Sequence, residues 1–149
     1  MLTRDTVGAT SDITPETRVL LRCIEECFAC ARAAQLCADA CLAARNAERY
    51  RKCIQYTLDC ADVCRMTDEL CARRSFPNTD ILLAALELCC LACEAAGVET
   101  RRHGTDMEEC RRSAERCRQC IDACSSALQF LSGGDGITGT GVSDCARRH

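Results

Sequence analysis

The sequence predicts an all-α protein, an up-down-up-down four-helix bundle with a Cys-lined core. Three observations lead to it. Cysteines recur mostly at intervals of 3, 4 and 7 residues in separate stretches of the chain, the intervals that return a side chain to one face of an α-helix. Capping residues at one end and Gly or Pro at the other divide these stretches. No segment alternates apolar and polar residues with the period of a strand.

The first helix opens at Thr14-Pro15, an N-cap followed by Pro at the first helical position, and its periodicity runs to about Arg45. Within it CIEECFACARAAQLCADAC carries Cys23, Cys27, Cys30, Cys37 and Cys41. At about 100° per residue these five thiols fall within an arc of roughly 80°. After a break near Asn46, a second periodic stretch over about 48–73 carries Cys53, Cys60, Cys64 and Cys71, within roughly 40°. The segment SFPNT follows, and Pro77 cannot continue a helix. Thr79 is the expected cap of the third helix, Asp80 to about His103, whose Cys89, Cys90 and Cys93 extend a stripe begun by Leu82 and Leu86. Gly104 supplies its stop. Thr105-Asp106-Met107-Glu108 matches a capping box for the fourth helix, which carries Cys110, Cys117, Cys120 and Cys124 and ends at Ser132-Gly133-Gly134.

Short connections make successive helices antiparallel neighbours, and in a bundle the shared stripe faces the axis. The expected organisation is an N-terminal extension over 1–13, the bundle over 14–132 and a Gly-rich tail over 133–149 containing Cys145. Gly134, Gly136 and Gly139 form a formal GxGxxG. It follows a helix instead of a strand and opens no helix, so a dinucleotide reading lacks its context. A second apolar stripe on the first helix, Leu21, Ile24, Phe28, Ala31 and Leu42, together with the apolar girth of the third helix, points to self-association.

Composition narrows the function. The chain has 149 residues, 48% hydrophobic and 28% charged, which suits one globular domain. Its net charge is −3 and its Arg residues are mixed with acids, so no nucleic-acid partner is expected. No uninterrupted apolar run reaches 18 residues, so no membrane span is expected. MLTRDTVGATSD has no apolar signal-peptide core, which points to a cytoplasmic location and reduced thiols. Seventeen cysteines is an odd number. Thiols one helical turn apart also hold their Cβ atoms about 5–6 Å apart, wider than the roughly 3.5–4.5 Å of a disulfide.

Cysteine buries less apolar area than Leu, so aligned stripes of it are a poor way to stabilise a bundle. The sulfur itself is the point of the pattern. Thiolates favour Cu(I), Zn(II) and iron–sulfur clusters. The loop motifs of iron–sulfur sites are missing, and structural zinc usually takes discrete Cys₄ sets in turns. Here the recurring unit is CxxxC within a helix, at 23/27, 37/41, 60/64, 89/93 and 120/124. Monovalent copper also leaves less net charge to bury than zinc does. Cu(I) is the expected cargo, with zinc or general soft-metal buffering as the alternative. A thiol oxidoreductase is disfavoured, because the CxxC pairs 27/30, 90/93 and 117/120 are helical and none lies at a strand-to-helix turn. No enzymatic activity is expected.

These residues resemble the bacterial copper storage proteins, in their cytosolic branch. The resemblance covers about residues 14–132 and rests on the CxxxC units 23/27, 37/41 and 60/64, the 110/117/120/124 run and His103. It implies a four-helix bundle that stores multiple Cu(I) ions per protomer and assembles as a homotetramer, with a copper chaperone as a candidate partner. Antiparallel order brings Cys41, Cys53, His103, Met107 and Cys110 to one end of the bundle. His and Met bind copper without losing a thiol proton, so His103 and Met107 are the expected mouth of the thiol tube. The opposite end, near Cys23, Cys71 and Leu82, is expected to be closed.

Overall fold

A computed structural model describes residues 13–133; the extension before Ile13 and the tail with Cys145 and the GxGxxG lie outside the described residues. Four helices account for most of that span: α1 (Pro15–Ala43), α2 (Arg51–Ala72), α3 (Thr79–Arg102) and α4 (Glu108–Gly133), with one turn of 3₁₀ helix at Ala47–Tyr50 ahead of α2. No strand occurs among the described residues. Each helix packs on its two neighbours around a square, α1 on α2 and α4, α3 on α2 and α4, while the diagonal pairs make no backbone approach. The diagonal is spanned by sulfur: Cys27 of α1 lies 3.8 Å from Cys89 of α3, and Cys30 lies 3.9 Å from Cys93.

The helix starts follow local chemistry, with two corrections. At α1 the Thr14 hydroxyl accepts a hydrogen bond from the Thr17 N–H at 3.1 Å, and Pro15 occupies the first turn, as expected. At α3 the cap is Asn78 instead of Thr79: its Oδ1 accepts from the Ile81 N–H at 3.2 Å, and Thr79 is already helical. The Thr105–Glu108 capping box also does not open α4. The carbonyl of His103 accepts from both Asp106 and Met107 N–H, at 3.1 and 3.0 Å, so the chain turns on α3's last residues and α4 begins only at Glu108. Glu108 is engaged by Arg111 Nε at 2.8 Å and Arg112 Nε at 3.1 Å, and does not reach back. The first helix ends at Ala43, two residues before Arg45, and the second starts later than 48 because 47–50 winds as 3₁₀.

The interior is narrow. Leu86 is the largest fully buried side chain, and the other fully buried positions are small, mostly cysteine with threonine, alanine and Ser113. Ala31 belongs with them at 4% exposure, not on the outer stripe, whereas Phe28 is 60% and Leu42 59% exposed. By length and composition α3 is apolar enough to cross a membrane, although its apolar run is interrupted at Glu87 and Glu94. In this bundle it is a core helix, with Cys89, Cys90 and Cys93 fully buried.

Candidate metal centre

Sixteen cysteines lie among the described residues, all of them buried and none of them in a disulfide. The helical period delivers them to the axis, and antiparallel packing interleaves them into a ladder. At the closed end Cys23 lies 3.4 Å from Cys124, with Cys71 and Leu82 buried in the same core. Next, Cys27 approaches Cys89 at 3.8 Å and Cys120 at 3.7 Å, and Cys64 meets Cys89 at 3.8 Å. One turn further, Cys30 lies 3.8 Å from both Cys60 and Cys117, and Cys93 lies 3.7 Å from Cys60 and from Cys64. The sequence placed the gripping unit within each helix, yet nearly all of these approaches are between helices; Cys60–Cys64, at 3.9 Å, is an approach within one CxxxC unit.

The ladder then pauses. Thr57, Thr100 and Ser113, all fully buried, occupy the next positions. Thr57 and Thr100 return their hydroxyls to their own helices, donating to the Cys53 carbonyl at 2.7 Å and the Ala96 carbonyl at 2.8 Å. The Ser113 hydroxyl is buried without a partner among the described residues. Beyond this layer a second thiol group begins. Cys37 donates to Cys110 at 3.3 Å, Cys41 lies 3.7 Å from Cys110, and Cys53 lies 4.0 Å from both Cys37 and Cys110. Cys41 donates to the Met107 thioether at 3.6 Å, which puts Met107 where the sequence expected it.

His103 reaches the same end but does not join a thiol set. It is the C-cap of α3, half-buried, with its ring 4.7 Å from that of Tyr50. Tyr50 is itself only 5% exposed and packs over Cys37, Cys41, Cys53 and Cys110. The sequence reading missed this cover: it followed cysteines through the 48–73 stretch, and Tyr50 stands at its start, on the 3₁₀ turn.

Four sets of four sulfurs have all their atoms within 4.8 Å of one another: 27/89/120/124, 30/60/93/117, 30/64/93/120 and 37/41/53/110. Cys30, Cys93 and Cys120 each serve two sets. Cys90 stands apart from all four, with its Sγ 3.8 Å from the Ser125 hydroxyl on α4.

A thiol has one hydrogen to donate, so crowded sulfurs divide into donors and acceptors. Hydrogen bonds from Cys110 and Cys37 lower Cys53 to about 5. Cys60 is lowered to about 7, chiefly by Cys117. Bonds from Cys124 and Cys27 hold Cys120 far below the ordinary thiol range, and Cys64 and Cys93 are pushed well above it by the neighbours they donate to, Cys120 and Cys117 first. Burial raises Cys41 to about 11, with the charge of Cys110 adding to it. The S–H of one neighbour thus favours the ionised form of the next, so the thiols of the core differ in how readily they give up a proton. The buried polar and charged residues besides the thiols are Thr57, Thr67, Glu99, Thr100 and Ser113, so no cation is buried with them among the described residues.

Comparison with known proteins agrees with this geometry. The family described as copper storage protein matches residues 16–129. Over 104 residues the chain is 30% identical to an uncharacterised cysteine-rich protein, YhjQ, of Bacillus subtilis (strain 168), spanning 70% of this chain and 91% of that one. Among solved structures it is similar to a cytosolic copper storage protein from Streptomyces lividans holding five coppers, at 41% identity and a TM-score of 0.74, over 76% of this chain and 94% of that one. The Streptomyces lividans protein loaded with 10 copper equivalents matches at 38% identity and a TM-score of 0.75, over 83% and 96% of the two chains.

Proposed function

Because the chain belongs to the copper storage protein family, we propose that it sequesters many Cu(I) ions on the thiolates lining its core, as a cytoplasmic homotetramer that stores its cargo and catalyses no reaction. The observation that carries this is the charge problem of the core. Once the sixteen buried thiols give up protons to bind metal, no buried cation among the described residues neutralises them, and burying uncompensated thiolates is strongly unfavourable. The cargo must supply the positive charge. A monovalent ion balances one thiolate each, and the sulfurs shared between sets, Cys30, Cys93 and Cys120, suit ions that are content with few, bridging ligands.

Zinc competes at any single set, since sulfurs about 3.8 Å apart also suit a tetrahedral site with bonds of about 2.3 Å. It fits the array less well, because discrete tetrahedral sites do not share their ligands so freely. We place the mouth at Cys41, Cys53 and Cys110 with Met107 and His103, supported by the Cys41–Met107 contact and the buried, unpartnered Nδ1 of His103. A copper chaperone would dock at that end. Titration of the reduced apoprotein with Cu(I) against a competing chromogenic chelator tests the reading: well over four ions per chain, held in preference to zinc, is the expected result. Saturation at one or two ions would refute it.

A further inference from the structure

Halfway along the tube, between α3 and α4, a cleft of about 290 Å³ reaches from the surface to Cys93 and Cys117. Both belong to the 30/60/93/117 set, so the cleft meets the ladder below the Thr57–Thr100–Ser113 layer, far from the mouth. Its floor is thin because α3 carries Gly97 there: a Cβ at that position would lie 3.5 Å from the Cβ of Cys117, and Cys93 and Cys117 lie buried directly beneath. Glycine is a poor choice for a helix interior on its own account, and any side chain longer than Ala would thicken the cover over the two thiols.

The rim is charged in both senses. Glu94 and Arg101 project from α3, Arg118 and Asp122 from α4. None of the four side chains makes an ion pair or hydrogen bond among the described residues, whereas elsewhere Arg49 holds Asp106, Arg65 holds Asp62 and Arg102 holds Glu99. Two free guanidiniums and two free carboxylates around one opening match a ligand that carries both a carboxylate and an ammonium. Guanidinium recognises the first by a two-pronged hydrogen bond. The volume is at the small end of ligand sites, roughly 300–1,000 Å³. The ligand must also bring metal to two thiols.

We propose that this cleft is a lateral loading port that binds Cu(I) carried by a zwitterionic low-molecular-weight thiol and passes the ion to Cys117 and Cys93. The proposal rests on the storage reading above. The exchange is thiol for thiol. Cys117 sulfur forms a bond to the carried Cu(I), one carrier sulfur leaves, and the proton given up by Cys117 goes to it. Cys93 then displaces the second carrier sulfur in the same way. Copper remains Cu(I) throughout, and two carrier thiols depart with the two protein protons. Arg101 and Arg118 hold the carrier's carboxylates, while Glu94 and Asp122 hold its ammonium.

The test loads the reduced full chain by stopped flow, following the ultraviolet absorption of Cu(I)–thiolate bonds, from two donors: Cu(I)–glutathione and Cu(I) in dilute acetonitrile. Arg101→Glu with Arg118→Glu should slow loading from glutathione by about tenfold or more, as reversal of a steering charge does. Loading from acetonitrile and the final copper content should not change. Gly97→Leu should give the same selective loss, and if that variant fails to fold the rim variant, whose side chains are exposed, decides alone. Equal rates from glutathione for the parent and the rim variant, or equal slowing with both donors, would overturn the port while leaving storage intact. A parent chain that takes up only one or two ions from either donor would overturn the storage reading and the port with it.

Discussion

The ring of His103 lies 4.7 Å from that of Tyr50, tilted at 60°, and the imidazole Nδ1 is buried without a partner among the described residues. Tyr50 in turn covers Cys37, Cys41, Cys53 and Cys110. On the entry route proposed above, an ion passes the imidazole and Met107 on its way to these thiols. His103→Ala with Met107→Leu is therefore expected to leave total Cu(I) capacity nearly unchanged while slowing transfer to and from an external chelator. Stopped-flow transfer rates check this; parent rates, with equal occupancy at low copper, would leave His103 only its place at the end of α3.

Cys120 and Cys90 are both fully buried but occupy different chemical positions. Cys120 belongs to two four-sulfur sets and Cys90 to none. Cys120→Ala should lower copper capacity by more than one ion, since it removes a shared ligand, and Cys90→Ala by one at most. Metal analysis of the saturated variants distinguishes the two; equal losses would mean that capacity follows the number of thiols and not their sharing.

Glu99 is buried on α3 beside the mouth, with Lys52 Nζ at 3.1 Å and Arg102 at 3.0 Å, both largely exposed. Either cation alone should suffice to compensate it, so Lys52→Met or Arg102→Met is expected to cost no more than about 1 kcal/mol, as exposed pairs do. Removing both leaves a buried carboxylate unpaired, at about 3 kcal/mol or more. Denaturant unfolding of the apoprotein measures the three variants, and strictly additive losses would contradict the shared clamp.

Leu21, Phe28 and Leu42 lie at intervals of seven and fourteen on α1, and all are exposed. A face of this kind on a bundle whose core is already full is the expected contact between copies. Phe28→Glu with Leu42→Glu should convert a tetrameric mass to a smaller one by light scattering, with copper capacity per chain unchanged. A monomeric parent at micromolar concentration would contradict the homotetramer.

Much of this was legible in the sequence because one residue type, repeated at helical spacing, marks both the fold and the site. The stripe cysteines all reached the core, and Thr14-Pro15 capped α1 as written. What the sequence left open came from competition between equivalent local choices. Asn78 and Thr79 are adjacent and both cap well, and only the backbone decides between them. Glu108 has the spacing of a capping box, but Arg111 and Arg112 one turn on take its carboxylate. The hydroxyl layer was visible in principle, since Thr57, Thr100 and Ser113 stand at stripe positions, four after Cys53, seven after Cys93 and three after Cys110. Tyr50 and Gly97 share the stripe spacing, three before Cys53 and four after Cys93, but the cover and the cleft they make, and the clamp on Glu99, were not legible from it. They depend on which helix lies alongside, which spacing within one helix does not reveal.

The narrowness of the interior has a consequence for how long each molecule survives. With Leu86 as its largest fully buried side chain, the empty bundle gains little from burying hydrocarbon compared with a Leu-rich core. The sulfurs that meet across its diagonals do so through weak S–H contacts. Ions bound only in the folded form add a term that grows with the ratio of free metal to Kd, and each one replaces such contacts with bonds between helices. Empty and filled molecules thus differ most in how readily they open to a protease. Degradation is expected to remove the empty ones first, so that the standing population of the protein would follow the supply of its metal.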